Sequence, residues 1–235
     1  MKALAVCHKT IDDLGRFDSI LKTYGFDIEY AIGYHDKLPA INPLEHDLAI
    51  FMGGSMGVYQ ADLFPYINNE ISYLKKRIAA DKPTLGICLG SQMMAKALGK
   101  DVYVGENGKE LGWRDITITD AGEKHPIRHL NNDQTPIIQL HGDTFNLPDE
   151  ATLLASSDLY KNQAYKVGQN ILGLQFHPEM TINNIESHMI SHIREFAEND
   201  ISIPDFRAET AEKTPLLHTQ TTAFLNDWLD EVMPR

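Results

Sequence analysis

Short apolar runs and stretches of helical period alternate through the first hundred residues. Lys2–Cys7 (KALAVC), Phe26–Ile32, Leu48–Met52 (LAIFM) and Thr84–Cys88 (TLGIC) have the length and composition of buried strands. Ile11–Tyr24 carries Ile11, Leu14, Phe17, Ile20 and Leu21 on one helical face. Pro65–Ala80 repeats the pattern with Ile67, Ile71, Leu74 and Ile78, and Asp81-Lys82-Pro83 stops it. A further helix follows Cys88 directly, runs through Leu98 and ends at Gly99. Strand, helix and strand at this spacing predict parallel βαβ units with helices on both faces of the sheet.

Beyond residue 110 the texture changes. Gly112–Thr119 alternates, and Pro136–Leu140, Ala151–Ala155, Gln163–Val167 and Ile171–Phe176 follow as short strands separated by turn residues. They predict antiparallel strands that extend the parallel sheet. Thr181–Glu198 reads as a helix, and a polar loop leads to a last helical stretch, Thr219–Val232. The expected organisation is one α/β domain over residues 1–200 with a helical tail over 201–235.

Charge narrows the class. The 235 residues hold 21 Lys and Arg against 33 Asp and Glu, a formal charge of −12. An acidic chain without a basic run is unsuited to nucleic acid or anionic lipid. Apolar runs of about five residues fall far short of the ~20 that a membrane span needs. With no export signal, the cytoplasm is the expected compartment, and the two cysteines, Cys7 and Cys88, are expected to be reduced.

The sharpest local signal is Gly86-Ile87-Cys88-Leu89-Gly90. It has the form of a G-x-nucleophile-x-G elbow with Cys for Ser, and it lies between a strand and a helix as that turn requires. The strained turn leaves no room for side chains two residues either side, and the positive end of the helix favours thiolate over thiol. Cys7 lacks this context and reads as a core thiol. A thiolate nucleophile needs an oriented imidazole. In Gln175-Phe176-His177-Pro178-Glu179, Pro178 holds the segment extended, so His177 and Glu179 emerge on one side. A carboxylate there can accept the Nδ1 proton and leave Nε2 for the sulfur. The third element is Gly53-Gly54-Ser55-Met56-Gly57, whose paired glycines let backbone N–H groups approach a ligand, as an oxyanion hole requires. A phosphate cradle ranks lower, because the segment has neither the Walker lysine nor G-x-G-x-x-G spacing.

The glycine pair after the third strand, GICLG with Ser91-Gln92 behind it, and the late QFHPE together resemble the class I, triad-type glutamine amidotransferases. Leu111-Gly112-Trp113, His141-Gly142-Asp143-Thr144-Phe145 and GLQFHPE are similar to stand-alone members close to the glutaminase domain of GMP synthase. The match covers roughly residues 1–195. It implies a flavodoxin-like, mostly parallel sheet with helices on both faces, extended by antiparallel strands. By the same resemblance, Cys88 is the nucleophile, His177 the general acid and base, and Glu179 its orienter. Gly54 and Leu89 supply the oxyanion-hole amides, and Gly53, Gln92, His141, Gly142 and Asp143 hold the substrate. No cofactor and no metal is implied.

The activity so implied is hydrolysis of the γ-glutamyl amide of glutamine, or of another γ-glutamyl compound, through a γ-glutamyl thioester. The expected partner is that small-molecule substrate. The chain shows no ATP-pyrophosphatase segment, and Leu89 replaces the aromatic residue usual after the cysteine in GMP synthases. Both count against a GMP synthase role; a glutaminase that passes ammonia to a separate synthetase subunit stays open, and the missing segment slightly favours a free-standing γ-glutamyl hydrolase. A non-catalytic binding protein of the same fold is disfavoured by the intact Cys88, His177 and Glu179. The related chaperone- and peptidase-type elbow fold is disfavoured by the late His-Pro-Glu.

The other polar positions carry plainer expectations. His188, His192 and Glu195 share a helix but lack a fourth ligand, which predicts a solvated face and no zinc site. His125 and His129 are expected in a loop, Trp113 in packing, and Asp12, Asp13, Asp47, Glu209, Glu212, Asp227, Asp230 and Glu231 on the surface. Residues 56–65 and 104–112 are expected to wall the pocket.

Overall fold

A computed structural model describes residues 1–8, 13–34, 38–131 and 135–233. Five strands form a parallel sheet: β1 (Lys2–Cys7), β2 (Asp27–Ile32), β3 (Leu48–Phe51), β4 (Thr84–Ile87) and β12 (Ile171–Leu174). Three antiparallel strands extend it: β7 (Thr117–Ile118), β10 (Thr152–Ser156) and β11 (Ala164–Val167). The order is β2-β1-β3-β4-β12-β11-β10-β7, so the parallel part has the 2-1-3-4-5 order of flavodoxin-like sheets. Two ribbons stand beside the sheet, β5 (Val102–Val104) with β9 (Asp143–Phe145) and β6 (Glu110–Arg114) with β8 (Ile137–His141).

The strands are apolar on both faces because both faces are covered. On one side Leu4, Val6, Ala49 and Phe51 meet α2 (Tyr66–Ala79) and α3 (Leu89–Ala97) through Ile67, Leu74, Met93 and Met94. On the other, Ala3, Ala5, Ile50, Leu85 and Ile87 share a core with α1 (Arg16–Tyr24), α4 (Ile182–Ser191), α5 (Ile193–Glu198) and α6 (Ile203–Val232). The alternation along β1, β3 and β4 sends successive side chains to these two cores. Arg77 of α2 is fully buried, with the carbonyls of Pro43, His46 and Pro83 and the Thr84 hydroxyl accepting its protons. Those bonds offset the cost of removing the cation from water and tie the entries of β3 and β4 together.

Six elements differ from expectation: β12, expected antiparallel, pairs parallel with β4, β8 joins β6 in a ribbon outside the sheet, and four others change bounds or partners. The first helix starts at Arg16, because Gly15 at φ +48° makes a turn no helix continues through; Ile11 and Asp12 lie outside the described residues. The alternating run 112–119 divides between β6 and β7, which belong to different sheets. The helix expected over Thr181–Glu198 breaks at His192 into α4 and α5. The last helix begins sixteen residues before Thr219, at Ile203, with the Ser202 hydroxyl accepting from Asp205 N and with Pro215 inside it. Among the described residues no helix is long and apolar enough to cross a membrane.

Candidate active site

The carboxyl ends of four parallel strands converge on one edge, as is usual for sites in open α/β sheets. His8 follows β1, Gly53 follows β3, Cys88 follows β4, and His177 stands just past β12.

Cys88 sits at the N-terminus of α3 with φ 50° and ψ −108°, a conformation strained for any residue with a side chain. Its N–H donates to Leu174 O at 2.7 Å, and its carbonyl accepts from the Ser91 hydroxyl at 2.7 Å and Gln92 N at 3.1 Å. The flanking glycines are required by close approach. A Cβ on Gly86 would lie 2.7 Å from Ser91 N, and one on Gly90 would lie 2.0 Å from Phe51 O. The helix axis therefore lies directly on β3 and β4 with the sulfur at its positive end.

His177 is buried, and its Nδ1–H donates to Glu179 Oε1 at 2.7 Å. Glu179 Oε2 has no hydrogen-bond partner among the described residues. Burial opposes charge on the imidazole, but the Glu179 carboxylate and the interaction with Cys88 outweigh it and raise the His177 pKa to about 10. Gly53 packs against both side chains: a Cβ there would stand 3.1 Å from His177 Cε1 and 3.6 Å from Cys88 Cβ.

The His-Pro-Glu segment is clamped by its carbonyls. Pro178 O accepts from the Thr221 hydroxyl at 2.7 Å, Glu179 O from Arg16 N at 2.7 Å, and Met180 O interacts with His218 Nε2 at 3.2 Å. His177 N donates to Ile138 O at 2.9 Å. Two of these clamps come from α6, which the sequence presented as a tail.

Cys88 and His177 open into a cavity of about 520 Å³. Gly53, Gly54, Gln92, His141, Gly142 and Asp143 line it, and so do Met56, Tyr59, Gln60, Val104, Lys109 and Leu111 of the two stretches expected as walls. Gly54 N–H has no protein acceptor among the described residues. Gln92 Nε2 donates to Gln175 Oε1 at 3.0 Å, so part of its side chain is committed to the pocket floor. His141 Nδ1 interacts with Asp143 O at 3.1 Å, and its Nε2 lies 3.1 Å from the Glu110 carboxylate. Glu110 in turn accepts from Gln163 Nε2. Burial raises the Asp143 pKa, countered by the Tyr59 hydroxyl, His141 and Lys109.

The solvated face expected for His188, His192 and Glu195 is corrected here. All three line the cavity, with the His188 ring 6.4 Å from that of His177 and stacked on His192 at 6.0 Å. Their helical spacing gave no sign of this; the helix breaks at His192, within the segment that lines the pocket. His125 lies at a bend as expected but is buried rather than solvated: it caps the short 3-10 helix Pro126–Leu130, which contains His129, and burial lowers its pKa to about 4. Trp113 is buried, with its Nε1–H donating to Thr210 Oγ1 of α6 at 3.2 Å. Cys7 lies in the core. Among the described residues no group of His, Cys, Asp and Glu is arranged to hold a metal ion.

The family model for class I glutamine amidotransferases matches residues 20–195. The glutamine amidotransferase-like protein YfeJ of Salmonella typhimurium is 29% identical over 236 residues, covering 99% of this chain and 97% of its own. Gamma-glutamyl peptidase 5 of Arabidopsis thaliana is 39% identical over 177 residues, 70% of this chain and 68% of its own. Among solved structures, a glutamine amidotransferase from Thermotoga maritima superposes with a TM-score of 0.85 at 30% identity, over 98% of each chain. Fold and sequence agree, and the chain belongs to the class I glutamine amidotransferase family.

Proposed function

We propose that this protein is a cysteine-dependent amidohydrolase that cleaves γ-glutamyl amides. The observation that carries the reading is the buried His177–Glu179 pair at 2.7 Å beside a cysteine held at positive φ on a helix N-terminus. The nucleophilic form of a cysteine is its thiolate. The Cys88 sulfur attacks the γ-carbonyl carbon, and the oxygen takes the developing charge against the N–H groups of Gly54 and Leu89. The C–N bond breaks as the His177 imidazolium gives its proton to the leaving amine. A γ-glutamyl thioester remains. His177, now neutral, takes a proton from water, the hydroxide adds to the thioester carbon, and glutamate leaves as the thiolate returns.

The cavity favours substrates larger than glutamine. Its 520 Å³ lies within the ~300–1,000 Å³ of pockets that enclose drug-sized ligands. The pocket continues past His177 to His188 and His192, where the group beyond the scissile bond would lie. The similarity to a gamma-glutamyl peptidase supports the same substrate class.

The test is glutamate and amine release by the purified chain on L-glutamine and on a panel of γ-glutamyl dipeptides, beside Cys88→Ala. The expected result is turnover of dipeptides that falls at least ~10⁴-fold in the variant, the scale of losing a nucleophile. Equal rates in both proteins overturn the assignment. Ammonia release from glutamine alone, rising only when a synthetase chain is added, would instead make this a glutaminase subunit.

A further inference from the structure

His8 and Glu70 form a buried pair that the chemistry above does not use. His8 Nδ1 lies 2.8 Å from Gly53 O, and Nε2 lies 2.8 Å from Glu70 Oε2. Both side chains are wholly enclosed, and the Tyr66 ring stacks on the imidazole at 6.5 Å. None of the three lines the cavity. Burying two such polar groups is costly, and so small a set of contacts adds little stability that an apolar pair would not.

What the pair holds is one peptide plane. Gly53 O can only accept, so His8 Nδ1 carries the hydrogen between them. The Gly53–Gly54 peptide is trans and planar, so its N–H points opposite to its C=O. With Gly53 O turned toward His8, Gly54 N–H faces the other way, toward the cavity that Gly53, Gly54 and Cys88 line. Two consecutive glycines have no side chains to resist rotation of that plane. Nothing in the loop's own sequence selects one orientation; the imidazole does. Glu70 fixes the ring from behind, and a Cβ on Gly54 would lie 3.1 Å from His8 Cβ, so the histidine is packed directly under the turn.

We infer that His8, oriented by Glu70, is a positioning residue that keeps the Gly53–Gly54 peptide turned so that Gly54 N–H serves the oxyanion. This role rests on the amidohydrolase reading for its kinetic consequence, while the peptide orientation can be read without any activity. It predicts that losing the His8 donor frees the peptide to rotate and removes one of two oxyanion donors, while substrate binding and the nucleophile are left intact.

The experiment compares wild type, His8→Leu, His8→Asn and the double variant His8→Leu/Glu70→Leu, the last because the single change leaves Glu70 as a lone buried carboxylate. Asn is chosen because its side-chain amide nitrogen falls near the position of Nδ1. Crystal structures read the Gly53–Gly54 plane, γ-glutamyl-p-nitroanilide reads kcat and KM, and iodoacetamide reads the reactivity of Cys88. The expected result is a rotated peptide and kcat reduced about 10²-fold in both leucine variants. KM stays within about twofold and alkylation proceeds at the wild-type rate, and His8→Asn recovers both the plane and most of kcat. An unrotated peptide in both leucine variants overturns the inference. So does a loss of kcat that iodoacetamide alkylation follows in parallel, since the histidine would then act on the nucleophile. If wild type turns nothing over, the amidohydrolase reading fails, and the crystal structures still decide the role of His8.

Discussion

Cys88 is placed by its own neighbours and the strands beside it, and His177 by residues from outside the parallel sheet, α6 among them. Gly86, Gly90, Ser91 and Gln92 make the close approaches and hydrogen bonds that fix the cysteine turn. The His177–Glu179 segment is held instead by Arg16 at the start of α1, Ile138 of β8, and His218 and Thr221 of α6. A sharp turn can be encoded in five residues because sterics alone leave the chain few alternatives. An extended loop cannot, so its carbonyls must find donors elsewhere. The nucleophile side should therefore tolerate damage to α6, and the histidine side should not.

The largest effect expected from breaking that asymmetry is at Glu179. Glu179→Gln removes the charge that, with Cys88, outweighs burial at His177, and turnover should fall roughly 10⁴-fold, as when a triad carboxylate becomes an amide. The ring itself reports the change. In wild type the folded-state pKa of His177, about 10, lies above an unfolded value of ~6.5. The pair thus stabilises the fold fully below ~6.5, and the contribution is lost as pH rises through about 10. In Glu179→Gln only the interaction with Cys88 still opposes burial, so the ring pKa should fall and that alkaline loss should shift to lower pH. NMR titration of the His177 ring and melting curves at several pH values check both.

Next is Trp228, which is 1% exposed in the core that α6 shares with α1 and the sheet. Trp228→Ala should cost about 3–5 kcal/mol, read by urea denaturation. Near the midpoint of that transition, turnover should be lost before iodoacetamide labelling of Cys88 slows to the rate of an ordinary unfolded thiol, because the histidine side loosens first. Simultaneous loss would remove the distinction between the two sides. The smallest effect is that of Thr221→Val, which leaves Pro178 O without its hydroxyl donor at a cost of about 1 kcal/mol. A several-fold fall in kcat with unchanged alkylation would place the damage at His177, and an unchanged kcat would show that the remaining clamps suffice.

Much of this molecule was legible where periodicity and steric necessity act locally. The strands β1 to β4, the helices α2 and α3, the turn at Cys88 and the pairing of His177 with Glu179 follow from apolar runs, glycine spacing and one proline. The start of α6 was hidden because Pro215 and the threonines around it read as a loop, while Trp113 on Thr210 and Phe196 on Phe206 anchor that stretch from outside the helix. His188 and His192 were hidden for a related reason: a helix face is solvated or not according to what faces it, and here it faces the cavity. His8 carried no local signal, since its partner Glu70 lies 62 residues away. The buried chain of Glu110, Gln163 and Gln139 beneath His141 was likewise invisible, because polar residues in short strands look solvent-facing until the ribbons fold over them.

The most direct measurement is peptide mapping of the protein quenched in acid during turnover of γ-glutamyl-p-nitroanilide. The expected product is a γ-glutamyl group on the Cys88 sulfur, with Cys7 unmodified. A protein that releases p-nitroaniline while Cys88 stays unmodified in every quenched sample, and that keeps its rate as Cys88→Ala, would contradict that assignment.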